Sequence, residues 1–109
     1  MIAYDQAIKV NLRNPLVWEV KGAALDEYYN NHEEAIKTYY KGIEVNSLDK
    51  DVWYLWFLKG QVFDELGKYH EAIDAYNKAI VLNPNNSIGS TLVINAKEED
   101  LKKLNKSNL

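Results

Sequence analysis

The 109-residue chain is expected to fold entirely from α-helices arranged as antiparallel pairs. Three observations carry that expectation. A nine-residue stretch recurs as Ala3 to Asn11, Thr38 to Asn46 and Ala75 to Asn83, with Tyr4, Tyr39 and Tyr76, then a small residue, isoleucine and asparagine in register. A second shared stretch precedes two of the copies, Trp18 to Glu27 and Trp56 to Glu65, each holding Trp, Lys-Gly and Asp-Glu at matching places. Finally, Trp18, Gly22 and Leu25, like Trp56, Gly60 and Phe63, stand at i, i+4 and i+7, which is one stripe of a helix.

Each element follows from the stripe and its punctuation. The spacing predicts a first helix over Ala3 to Asn11, a lone copy of the second-helix pattern. Asn14-Pro15 supplies an N-cap and a first-turn proline for a helix over Pro15 to Tyr28. Its partner, His32 to Val45, places Ala35, Tyr39, Gly42 and Ile43 on one face. The next pair is Lys50 to Leu66 and Tyr69 to Leu82, with Gly67 as the stop between them and Asn83-Pro84 as the break after them. A sixth helix over Ser87 to Leu104 has Ile88, Leu92, Ala96 and Glu99 on one side, with Leu101 and Leu104 nearby. The tyrosines lie 35 and 37 residues apart, the tryptophans 38 and the alanines Ala35 and Ala72 37. One extra residue therefore falls near Asn30-Asn31, and the rest of the excess near Ser47 to Val52, where loop length is cheap to change.

Small residues within the stripes allow two backbones to approach closely while aromatic rings fill the space beside them. Trp18, Trp56, Tyr39 and Tyr76 are accordingly core positions. Trp53 and Tyr54 have no counterpart in the earlier unit, where Pro15 and Leu16 stand.

Composition removes several function classes. Thirteen basic residues against 16 acidic ones, a net charge of −3, argue against a nucleic-acid binder. With no cysteine there is neither a disulfide nor a thiolate metal site. The longest apolar run, Val52 to Leu58, is far below the roughly 20 residues that span a bilayer, and Met1 to Pro15 lacks a signal-peptide pattern. A cytoplasmic protein, without membrane attachment, is the expectation. No Gly-x-Ser-x-Gly turn or phosphate loop is present. His32-Glu33-Glu34-Ala35-Ile36 begins like a zinc-protease helix but has Ile36 where the second histidine must stand. His32 and His70 read as equivalent polar residues in the helix-joining turns, so no enzyme activity, cofactor or metal is expected.

Trp56, Gly60, Phe63, Gly67, Tyr69, Ala72, Tyr76, Ala79 and Pro84 together resemble the tetratricopeptide repeat, a helix-turn-helix unit of about 34 residues. The unit from Pro15 to Ser47 departs from the pattern at Gly42, at Ser47 and by its extra turn residue. The resemblance implies an α-solenoid of antiparallel helix pairs in a right-handed superhelix. The chain would hold an orphan second helix (1–12), two full repeats (15–47 and 53–84) and a capping helix (87–106), all in one domain. Lys21 and Lys59 fill a slot the repeat gives to leucine, with their stems buried and their ammonium groups in water.

In this family the first helices line a concave groove that takes a peptide. The positions facing it would be Leu16, Glu19, Ala23, Asp26 and Glu27 in one unit and Tyr54, Phe57, Gln61, Asp64 and Glu65 in the next. The capping helix would add Ile88, Thr91, Asn95, Glu98 and Glu99. The helix starts are thus apolar and aromatic and their ends acidic. A family branch that clamps carboxylates with Lys and Asn is not matched, since Glu19, Ala23, Leu58, Ile88 and Leu92 occupy those places. The expected partner is a basic, amphipathic peptide segment of another protein. The rival is self-association, as a homodimer or within a longer array, through Ile2, Ile8 and Leu12 of the first helix.

Overall fold

A computed structural model describes residues 2–10, 12–46, 50–84 and 87–107. Six helices account for nearly all of them, and no strand occurs among the described residues. They are α1 (Ile2–Val10), α2 (Pro15–Ala23), α3 (His32–Val45), α4 (Trp53–Glu65), α5 (Tyr69–Leu82) and α6 (Ser87–Ser107). Each packs chiefly on its neighbours in the chain, and α2 also touches α4, giving an elongated stack of 49 × 32 × 20 Å.

Local chemistry sets the helix ends. The Asn14 side chain accepts from the Leu16 amide at 3.0 Å, directly before Pro15. Asn31 caps α3 by accepting from the Glu34 amide, and the Asn46 side chain donates to the Gly42 carbonyl where α3 ends. Trp18 Nε1 donates to the Leu12 carbonyl at 2.7 Å, which ties the α1–α2 connection to the core. The predicted end of α1 at Asn11, the closing slot at Ser47 and the side chain of Ile88 lie outside the described residues.

The α2 segment does not run as one α-helix to Tyr28. At Ala24 it widens into a π-helical turn, Ala24–Tyr28, closed by the Tyr29 amide on the Ala24 carbonyl and the Asn31 amide on the Leu25 carbonyl. In the second unit the equivalent closing bond, from the Lys68 amide to the Phe63 carbonyl, spans one residue fewer. The extra residue counted near Asn30-Asn31 is therefore absorbed inside the helix, a device often found near functional positions. The turns themselves are alike: Asn30 (φ 52°) and Gly67 (φ 75°) both take the left-handed conformation that lets the chain reverse. Ahead of α4, Lys50–Val52 form a short 3-10 turn rather than a regular α-helical start.

Two cores result. Ile8, Trp18, Ala35, Tyr39 and Leu55 belong to the first, and Phe57, Ala72, Tyr76, Ala79 and Val93 form the second. Trp56 is only partly buried and packs against both, while the ammonium groups of Lys59 and Lys78 lie 4.9 and 4.6 Å from its ring centre. On α6, Val93 and Asp100 are buried and Ala96 partly so, whereas Leu92 and Glu99 are exposed. Apolar residues stand on several sides of this helix, Leu92, Val93 and Ile94 in succession, so its pattern admits more than one stripe. On α1, Ile8 is buried rather than left uncovered.

Candidate functional site

The starts of α2 and α4 lie side by side and line an open pocket of about 240 Å³ whose walls include Leu16, Glu19, Asp51, Trp53 and Tyr54. Leu16 is 57% exposed and Tyr54 36%. Tyr54 is backed by a run of rings, with Trp53 edge-on at 5.4 Å and Phe57 at 5.9 Å, and Phe57 lies 5.7 Å from Tyr76 in the core. Phe57 itself is buried. It thus supports Tyr54 from below instead of presenting its own ring to the groove, because α4 is turned so that this position meets α5. Partial burial raises the Glu19 carboxyl above its usual range, and the neighbouring Asp51 adds to the effect. A cation entering between these carboxylates would relieve that repulsion.

At the helix ends, the repeated Asp-Glu pairs behave differently. Asp26, buried on the π-turn, lies 2.5 Å from His32 Nδ1, and Glu65 reaches the same nitrogen at 3.5 Å from the following repeat. Burial first, and hydrogen bonding to Asp26 next, push the Glu65 carboxyl up to about 6. Asp64, on the regular helix, instead accepts the Tyr76 hydroxyl at 2.6 Å. Asp26 and Asp64 are thus engaged within the fold, whereas Glu27, Gln61 and Glu65 are exposed, as is Asn95 on α6. The structure brings Leu16, Glu19 and Tyr54 together at one end and Asp26 and Glu65 at the other.

A family model of the tetratricopeptide repeat matches residues 53–86, which span α4, the turn at Gly67 and α5. The segment from 53 to 86 is thus similar to a tetratricopeptide repeat. Repeats of this family generally mediate protein–protein contacts and are typically non-catalytic. No curated protein matches the chain.

Within this repeat frame, His32 and His70 are not equivalent. Counted back from Ala35 and Ala72, His32 matches Tyr69, and only His32 turns inward toward carboxylates; His70 is exposed. Lys21 and Lys59, the two departures from the leucine slot, are both engaged: Lys21 pairs with Asp5 of α1 at 2.8 Å. Lys59 lies 4.8 Å from the centre of the Tyr40 ring as well as against Trp56, and burial lowers its pKa, with Lys78 contributing. Two residues of the repeat frame escaped the sequence reading, His32 as a partner of Asp26 and Asp100 as a core residue. The identity of His32 and Asp26 as neighbours was hidden because six residues and a helix reversal separate them. No helix of the described residues is long and apolar enough to cross a membrane.

Proposed function

We propose that the chain is a non-catalytic interaction scaffold that takes a basic, amphipathic peptide segment along the groove formed by its first helices. The observation that carries this reading is the pocket between α2 and α4, where Leu16, Trp53 and Tyr54 supply apolar and aromatic walls and Glu19 and Asp51 supply charge. A lysine or arginine side chain has that dual character: its stem packs on the rings while its head meets the carboxylates. Glu27 and Glu65, farther along the same helices, extend the acidic character toward the rest of the segment. A phosphate or nucleic-acid ligand would be repelled by the same groups.

Calorimetry with a short peptide alternating Lys or Arg with Leu tests the proposal. Binding is expected to weaken with salt, and Tyr54→Ala and Glu19→Lys should each lower affinity by about tenfold, or about 1.4 kcal/mol. An affinity indifferent to Glu19→Lys would overturn the reading.

Self-association is a second reading, favoured by α1, where Ile2 and Val10 are 76% and 88% exposed and Leu12, just beyond the helix, is 46% exposed. Exposed apolar side chains of this kind suit a partner of the same chain. Light scattering at high micromolar concentration should then give a dimer that the double change Ile2→Ser and Val10→Ser dissociates. A monomer throughout the range would remove this reading.

A further inference from the structure

Three side chains from three segments converge beside the π-turn: Asp26 on the turn, His32 at the first residue of α3 and Glu65 at the last residue of α4. Their potential donor atoms all lie within 4.8 Å of one another. We propose that this cluster is a divalent-cation site, with zinc the preferred ion, that clamps the first helix pair to the second.

The donor set is one imidazole nitrogen and two carboxylate oxygens, a combination suited to zinc and related first-row ions. Bonds of about 2.0–2.2 Å to such an ion place neighbouring ligand atoms about 3.4 Å apart in a tetrahedron. The separation of 3.5 Å between His32 Nδ1 and Glu65 Oε2 already suits this geometry. The 2.5 Å contact between His32 and Asp26 would open by about 1 Å as the ion comes between them. A single ring nitrogen can direct one N–H at one carboxylate only, and Asp26 stands closer. Glu65, at 3.5 Å, is left beside the Asp26 carboxyl without a donor of its own from the ring. One divalent cation would neutralise both acids at once.

The surroundings suit a held ion better than a solvated acidic patch. Asp26 is 8% exposed, the His32 side chain 24% and that of Glu65 47%, so the cluster is walled on the turn side and open beside Glu65. That opening leaves a fourth coordination position for water. The comparison with the second repeat is informative: Asp64, at the matching place on a regular helix, meets the Tyr76 hydroxyl, and Tyr69 stands where His32 would be. The extra residue in α2 and the histidine thus occur together in the unit that holds the cluster. No metal was anticipated from the sequence, since His32-Glu33-Glu34-Ala35-Ile36 lacks a second histidine within one turn. The ligands gathered here lie 6 and 33 residues from His32 instead. The inference does not depend on the peptide groove.

The test is titration of the chelator-treated full chain with zinc by calorimetry, with cobalt absorption as a second readout and thermal unfolding as a third. One ion per chain is expected, raising the melting temperature in a concentration-dependent way as any ligand of the native state does. A ligand-field spectrum of low coordination number should accompany cobalt uptake. Glu65→Gln, at the most exposed ligand, should keep the fold and lower zinc affinity by at least about tenfold. His32→Ala should abolish the cobalt spectrum, and His70→Ala should leave it unchanged. Absence of stoichiometric uptake by the folded chain, or uptake that survives both Glu65→Gln and His32→Ala, would overturn the site; in the first case the three groups serve only as a proton-sharing contact between repeats.

Discussion

Gly60→Ala is expected to lower stability by about 2 kcal/mol, although the change replaces a poor helix former with the best one. Helix propensity alone would favour alanine by about 1 kcal/mol. A methyl group at Gly60, however, would lie 2.5 Å from Cε1 and 2.7 Å from Cδ1 of Tyr76, well inside contact distance. Tyr76 has nowhere to move. It is fully buried, its ring packs on Phe57, and its hydroxyl is fixed on Asp64. Overpacking of a fixed core position costs about 1–3 kcal/mol, and the upper half of that range applies where the obstructing ring is tethered at both ends. The matching position in the first unit behaves alike, since a methyl at Gly22 would overlap the Tyr39 ring. Thermal unfolding should place Gly60→Ala about 10 °C below the parent, and Gly60→Leu should not fold. Gly60→Ala combined with Tyr76→Leu should recover part of the loss relative to the sum of the single changes, because the clash is then removed. Strict additivity would show that the ring and the glycine do not interlock.

That interlock is the part of the fold written most plainly in the sequence. Glycine and tyrosine recur at fixed spacing because each repeat needs one close approach and one ring to fill the space beside it, so the helix pairs and their cores follow from periodicity. The nearness of Leu16, Glu19 and Tyr54 was legible for the same reason, since they flank the core stripe on successive first helices. Phe57 was misplaced by a small rotation of α4, which a stripe with only an average direction cannot resolve. Residue counting found the insertion before α3 but could not distinguish a longer loop from a wider helical turn, because both add one residue between Gly22 and Ala35. Asp26, His32 and Glu65 are joined by that turn and by stacking of one repeat on the next, neither of which leaves a local signal. Asp100 was missed for another reason: a carboxylate beside Glu98 and Glu99 reads as part of a solvated face.

Asp100 should make stability fall as pH rises. It is fully buried on α6 beneath the second repeat, and among the described residues no group other than the two carboxyls themselves offers a hydrogen bond to its oxygens or to Oδ1 of Asp64. Burial first, and the hydrogen bond shared with the Asp64 carboxyl second, push Asp100 up to about 7, against 3.8 when unperturbed. Lys103 works in the opposite direction and Glu99 in the same one. Lys103 is itself engaged over the Tyr69 ring at 5.1 Å, and the Tyr76 hydroxyl is already donated to Asp64. A carboxyl whose folded pKa is raised contributes stability that is complete below pH 4 and is lost as pH climbs through 7. The slope approaches about 1.4 kcal/mol per pH unit within that window and amounts to about 4 kcal/mol across it. A single domain typically has only about 5–15 kcal/mol in total, and Asp100 lies on the last helix, so undocking of α6 should precede global unfolding at alkaline pH. Urea unfolding between pH 4 and pH 8 is expected to show the decline, with amide exchange in α6 accelerating before exchange in α4. Asp100→Asn keeps the shape and places an amide donor opposite Asp64, so its stability should change little at pH 4 and exceed the parent's at pH 8 by about 2–3 kcal/mol. A parent whose stability is flat from pH 4 to pH 8, or an Asp100→Asn variant that retains the same decline, would mean that the two carboxyls do not share a proton and that α6 is held without regard to their ionisation.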